Sequence, residues 1–161
     1  MRGLGNVWMR RWSRVVLAAF IVAAPAAASA DGPASATGAG HGGSGGQRRT
    51  FSFSAVMLPD GSARGNAQLY ARAFPAKVHM QVTCLRVQGG VAYISGFNTS
   101  ADPAVFEGIY AIFAVEDNGE GSAVDRVTQF HPAATQGPDA CLTESPADLF
   151  PIEQGNVQVR A

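Results

Sequence analysis

The chain has 161 residues, 47% of them hydrophobic, and its 12 basic side chains balance its 12 acidic ones. Four of the arginines lie in the first 30 positions, where no acid occurs, so the rest of the chain carries 8 basic against 12 acidic groups, a net charge of −4. This acidic excess argues against nucleic-acid binding, which depends on a basic surface facing phosphate. No stretch of the sequence clusters lysine and arginine in the way that attracts anionic lipid.

Residues 1–30 have the three parts of a secretory signal peptide. A cationic start is followed by an apolar run, Val15 to Ala28, and by the small-residue cleavage motif Ala28-Ser29-Ala30. The alternative is a retained membrane anchor, but the apolar run is shorter than the roughly 20 residues that cross a bilayer. We therefore expect a secreted or extracytoplasmic protein of the cell envelope, with a bacterial-type signal and no membrane span after cleavage.

Residues 31–48 are rich in glycine, alanine and serine. So little apolar surface does not offset the conformational entropy lost when a segment becomes ordered. The composition therefore predicts a flexible linker, with His41 as a solvated linker residue and not a metal ligand. Residues 49–161 remain as one folded domain, which is long enough for a single core.

Alternation of apolar and polar residues dominates this domain and predicts short β-strands separated by turns. The strand at 106–115 is apolar on both faces and is therefore expected in the middle of the sheet. A helix of one or two turns is expected only near Ser145 to Phe150. About seven or eight strands predict an all-β fold, either an antiparallel β-sandwich or an up-and-down meander barrel. The predicted strands are 51–57, 65–74, 77–84, 85–87, 91–97, 106–115, 124–131 and 157–160.

Cys84 and Cys141 are the two cysteines of the chain. Cys84 falls on the same predicted strand face as Val78, Met80 and Val82, and Cys141 lies in an irregular C-terminal stretch. Cysteines pair readily outside the membrane, and a bridge over this separation is worth about 4 kcal/mol in the chain-entropy model. We predict a structural disulfide rather than a catalytic cysteine, because no base is placed beside either thiol.

The acidic turn that begins at Glu116 supplies weak candidates for a calcium site: Asp117, Asn118, Glu120 and Asp125. Oxygen donors at close spacing suit calcium. However, Asn-Gly is also a common hairpin signal and the spacing of an EF-hand is missing, so a plain turn is the favoured interpretation. Asp125 alternatively braces the turn through backbone donors. The sequence accordingly predicts no metal and no cofactor.

Four segments, taken in order, resemble a small β domain found in exported and surface proteins of bacteria, described as post-COAP-like. The resemblance covers most of residues 50–159. It implies an extracellular β domain of unassigned role, without an established catalytic activity. The segments are 65–70 (GNAQLY), 78–87 (VHMQVTCLRV), 117–121 (DNGEG) with Asp125, and 155–159 (GNVQV).

No nucleophile, base and orienting group can be assembled from the sequence, so we expect no catalytic residues and no enzyme activity. The favoured function is a non-catalytic binding or structural module, monomeric, with an unknown extracellular or envelope partner. The alternative is a small-molecule carrier with an apolar cavity inside a β-barrel. An enclosed cavity of several hundred cubic ångströms would favour the carrier, and a filled interior the binding module. The cavity would be lined by Tyr70, Tyr93, Phe97, Tyr110 and Phe130.

Overall fold

The alternating residues form a closed antiparallel β-barrel in the computed structural model, which describes residues 32–43, 47–72, 76–121 and 123–161. A short 3-10 turn, Ala104–Phe106, follows β5, and a one-turn helix α1, Ala140–Thr143, precedes β9. The predicted signal peptide lies outside the described residues. The strands are β1 Ser35–Gly42, β2 Arg49–Met57, β3 Ala63–Ala71, β4 Ala76–Gln88, β5 Val91–Asp102, β6 Tyr110–Glu116, β7 Arg126–Val127, β8 His131–Pro132 and β9 Phe150–Arg160.

The strands β1 to β6 pair in chain order, each antiparallel to the next. The ring is completed by β7, which pairs with β6 and with β9, and by β9, which returns to β1. The short β8 also pairs with β6. This ring confirms the all-β fold class and selects the meander barrel over the sandwich. In the described part of the chain, no helix is long and apolar enough to cross a lipid bilayer.

The interior of the barrel is filled by side chains. Phe113 is fully buried near its centre, where its ring stacks on Phe130 at 4.1 Å between centroids and meets Phe53 edge to face at 5.4 Å. Such aromatic packing adds to the free energy gained by burying the apolar surface. The inner faces of the strands thus form one continuous core, which includes Phe51, Met80, Val82, Ile94, Val115, Ile152 and Val157.

The predicted linker is wrong for Ser35–Gly42, which form β1 with a strand paired on either side. Its inward positions include Gly38 and Gly40. A Cβ atom at Gly38 would lie 2.9 Å from Cε1 of Phe53, so the missing side chain makes room for a neighbouring ring. Small and large inward residues commonly alternate in small barrels. Composition was misleading because the apolar surface that stabilises β1 belongs to its neighbours.

Cys84 lies on the outer side of the barrel, not on the inner face that it was predicted to share with Val82. The pairing of β4 with β5 shifts register between Val82 and Cys84, where a bulge inserts Thr83. A bulge of one residue reverses the faces of all residues beyond it. Leu85 consequently points into the core, and the two predicted strands at 77–84 and 85–87 are one continuous strand.

The C-terminal part differs from the predicted elements in three places. The single strand expected at 124–131 is two short pairings, β7 and β8, and the helical turn lies at Ala140–Thr143 instead of 145–150. β9 begins at Phe150, well before the predicted start at Val157. The pairing of β9 with β1 shifts register opposite His41 and Gly42. Ile152 and Val157 consequently both point inward although they are five positions apart, so the sequence of β9 shows no regular alternation.

Candidate functional site

The predicted disulfide is confirmed: Cys84 and Cys141 are bonded, with their Cα atoms 5.8 Å apart. Cys141 is in α1, and both cysteines are buried. They pack with Ile112, Ala133 and Ala140 in a small cluster of their own, on the outside of β4 to β6. The disulfide therefore fastens the C-terminal segment 133–149 to the outer wall of the barrel.

Arg86 reinforces this attachment. Its Nε donates a hydrogen bond to the Cys141 carbonyl oxygen at 2.7 Å, and its Nη2 donates to the Glu144 carbonyl oxygen at 3.1 Å and to Ser145 Oγ at 2.8 Å. The guanidinium also lies 4.0 Å over the centre of the Tyr93 ring, a cation–π contact. This role of Arg86 was not predicted, although Arg86 lies two positions after Cys84, on the same strand face.

The carboxylate of Glu144 holds the turn that precedes α1. It accepts hydrogen bonds from the backbone N–H groups of Ala134 at 3.1 Å and Thr135 at 2.9 Å, and from Thr135 Oγ1 at 2.8 Å. Partial burial raises the pKa of Glu144, but these hydrogen bonds together outweigh it and leave the pKa below its ordinary value.

This lowered pKa predicts a pH-dependent contribution to stability. Because the folded pKa of Glu144 is lower than the unfolded one, its contribution is complete above the unfolded pKa of about 4.3 and is lost as the pH falls through the folded value. We expect Glu144→Gln to lower the melting temperature slightly at pH 7. The free energy of unfolding should fall by less than about 1 kcal/mol, because the group is solvent-accessible. The difference from the wild type should shrink towards pH 3. Thermal melts from pH 3 to 7 measure this, with exposed Glu153→Gln as control. An equal difference at both ends of the range would contradict it.

The acidic side chains proposed for calcium are engaged with the backbone. The two carboxylate oxygens of Asp125 accept hydrogen bonds from the N–H groups of Asn118 at 3.0 Å and Val157 at 2.8 Å, and Asp125 is only 8% exposed. One oxygen of Asp117 accepts from the N–H of Val159 at 2.8 Å. These bonds tie the acidic turn to β9, as in the bracing alternative for Asp125.

Asn118 and Glu120, the other two candidates, are exposed at the tip of this turn. Asn118 donates from its side chain to the Val124 carbonyl oxygen at 2.8 Å. Within residues 32–43, 47–72, 76–121 and 123–161, no three histidine, cysteine or acidic residues are grouped so that they could hold a metal ion. Asp117, Asn118 and Asp125 thus brace the turn through hydrogen bonds, whereas Glu120 is exposed at its tip.

A concave depression of about 660 Å³ lies on the outer face of β9, β1, β2, β3 and β4. The strand register places polar residues in two rows across it. The first row pairs Gln154 with His41, His41 with Thr50, Thr50 with Tyr70 and Tyr70 with Lys77. The second row runs through Ala39, Ser52, Gln68 and His79. We call this concave surface the polar outer depression.

The depression has a particular chemistry. His41 Nδ1 and Thr50 Oγ1 are hydrogen-bonded at 2.8 Å, so His41 is a residue of the sheet surface and not a linker residue. Lys77 Nζ lies 5.7 Å from the centre of the Tyr70 ring, and Tyr70 is 39% exposed. Among the described lining residues, Lys77 carries the fixed charge and none is a carboxylate.

The five aromatic residues expected to line a carrier cavity do not share one. Tyr70 lies in the polar outer depression and Tyr93 under Arg86. Phe97 and Tyr110 pack edge to face at 5.3 Å on neighbouring strands, while Phe130 stacks inside the barrel. These five residues therefore line no common cavity, and the barrel fold is compatible both with a binding module and with a carrier.

A histidine and an acid do converge on the surface, where His131 Nε2 and Asp148 Oδ1 are 2.9 Å apart. Both side chains are well exposed. In the described ranges, no serine, threonine or cysteine side chain is hydrogen-bonded to His131.

No protein-family model, curated protein or solved structure matches this chain. The resemblance to post-COAP-like domains therefore stays a prediction.

Proposed function

We propose that this protein is an exported, non-catalytic binding module that recognises a polyhydroxylated ligand, such as an oligosaccharide chain of the cell envelope. The observation that carries the proposal is the polar outer depression, with its hydroxyl, amide, imidazole and phenol groups. Export is supported by the signal-like residues 1–30 and by the disulfide, a bond that persists in oxidising compartments. We further propose that the protein belongs to the post-COAP-like type and that it acts as a monomer.

The lining groups suit sugar hydroxyls. Each hydroxyl of a sugar both donates and accepts hydrogen bonds, as do the amides of Gln68 and Gln154 and the hydroxyls of Thr50 and Ser52. The half-exposed ring of Tyr70 offers a flat apolar surface to the C–H face of a sugar. Because few of these groups are charged, little solvation energy is lost when a neutral ligand displaces water.

The absence of acids from the depression supports binding without turnover. Most glycosidases hydrolyse their substrate with two carboxyl groups that flank the scissile bond. The described lining residues contain neither aspartate nor glutamate. A polyhydroxylated chain bound here would meet hydrogen-bonding groups without a general acid or a carboxylate nucleophile.

The test is binding to a panel of soluble oligosaccharides, followed by titration of those retained. We expect Gln68→Ala and Tyr70→Ala each to weaken binding about tenfold, the effect of losing a hydrogen bond or an aromatic contact. Gln81→Ala is the matched control, because Gln81 is also exposed on the outer face of the sheet, on β4, but lies outside the depression. Binding that Gln81→Ala weakens as much as Gln68→Ala, or a panel with no retained member, would contradict the proposal.

A further inference from the structure

A second, smaller concavity of about 150 Å³ lies at one end of the barrel, on the inner side of β3 and β4. We call it the end cleft. Most of its walls are apolar, and three polar residues, Arg49, Asn98 and Gln129, lie among them. The apolar walls are Leu69, Ala71, Ala76, Val78, Phe106, Ile109, Ala111, Phe130 and Pro132.

Arg49 is a buried cation at the start of β2. It follows the inward parity of Phe51 and Phe53 and is 9% exposed. Its Nη2 donates to Gln47 Oε1 at 3.0 Å, but Nη1 is buried and has no hydrogen-bond partner among the described residues. No carboxylate of these residues forms an ion pair with it, and its guanidinium carbon lies 5.9 Å from the centre of the Phe150 ring. A buried charge without a counter-charge is costly, so the site is set up to receive an anion.

Asn98 presents an acceptor that is also unpartnered. It is 2% exposed, and its Nδ2 donates to the Phe106 carbonyl oxygen at 2.9 Å, which fixes the orientation of the amide. The Oδ1 atom is buried and has no partner within the described part of the chain. A buried acceptor of this kind calls for an N–H or O–H donor.

We infer that the end cleft binds a small carboxylate that also carries a hydroxyl or amino group, on an apolar body about the size of a benzene ring. The carboxylate would accept a charge-assisted hydrogen bond from Arg49 Nη1, and the donor would pair with Asn98 Oδ1. The size follows from the volume, because a cavity of about 150 Å³ engineered into another protein holds benzene. Leu69 and Val78 border both this cleft and the polar outer depression, but Arg49 and Asn98 line the cleft alone, so the inference does not depend on the function proposed for the depression.

The probes are 4-hydroxybenzoate, benzoate and 4-hydroxybenzamide, titrated into the full chain and followed by calorimetry and by NMR signals of Ala71, Ala76 and Ala111. We expect 4-hydroxybenzoate to bind most tightly. Benzoate lacks the donor for Asn98, and 4-hydroxybenzamide lacks the charge for Arg49, so each should bind at least about tenfold more weakly.

A pair of variants localises the binding. Arg49→Gln should weaken 4-hydroxybenzoate binding at least about tenfold. Arg48→Gln, an exposed neighbour outside the cleft, should leave it unchanged. The probe series on the wild-type protein decides the question even if Arg49→Gln fails to fold. No shift of the three alanine signals at millimolar probe, or equal affinity for the carboxylate and its amide, would overturn the inference and leave a cleft that holds water only.

Discussion

Removing the disulfide by Cys84→Ala with Cys141→Ala is expected to lower the free energy of unfolding by about 4 kcal/mol. The bridge joins residues 57 positions apart, and opening it returns the entropy of that large loop to the unfolded chain. For a domain of this size the melting temperature should fall by roughly 10–20 °C. Thermal denaturation followed by circular dichroism measures the change.

Two controls separate the covalent bond from the packing around it. Reducing the wild-type protein should produce nearly the same drop, because it opens the bond and keeps both sulfur atoms. Arg86→Lys should produce a smaller one, since lysine cannot reproduce the three hydrogen bonds that the Arg86 guanidinium donates to the same segment. Two alkylated thiols in the unreduced protein, or a melting temperature unmoved by reductant, would contradict the assignment.

Replacing Gly40 by valine is expected to destabilise the barrel by about 3 kcal/mol. A Cβ atom at Gly40 would lie 2.6 Å from the carbonyl oxygen of Gln154 and 2.9 Å from Cγ2 of Ile152. The first contact is with backbone and cannot be relieved by rotating a side chain, so β9 would have to move away. Denaturant unfolding of the variant gives the loss directly.

The matched control is Ala39→Val, one position earlier on the outer face of β1. Surface substitutions away from special features usually change stability by about 0.5 kcal/mol or less, and valine suits an exposed strand position. If residues 31–48 were a flexible linker, both substitutions would be neutral. Equal effects of Gly40→Val and Ala39→Val would therefore contradict the placement of β1.

Where apolar and polar residues alternate regularly, the sequence alone predicted which face of a strand is buried. Phe51, Phe53, Phe113 and Val115 lie on the faces that period-2 patterning predicts, because a strand in a closed sheet has one side towards the core. The disulfide was also predictable, since export and two cysteines leave few other uses for them. The β1 strand was missed because most of its inward residues are glycines, which add no apolar side chain to the sequence pattern.

Bulges limited the prediction elsewhere. The face of Cys84 and the start of β9 both depend on one extra residue in a strand, and no local signal in the sequence marks such an insertion. The end cleft depends on Arg49 and Asn98, which long-range pairing brings together from two different strands. A usable hint was nevertheless present: Arg49 shares the alternating positions of Phe51 and Phe53, and a charged residue on a buried face signals a site.

Both proposed sites depend on the closure of the barrel by β1, which carries His41 on its outer face and pairs with the strand that begins at Arg49. Hydrogen–deuterium exchange of the amides in Ser35–Gly42 tests this closure most directly. We predict that these amides, paired on both sides with β2 and β9, exchange as slowly as those of β2. Exchange at the rate of an unstructured peptide would show that this segment is a linker and would contradict the account.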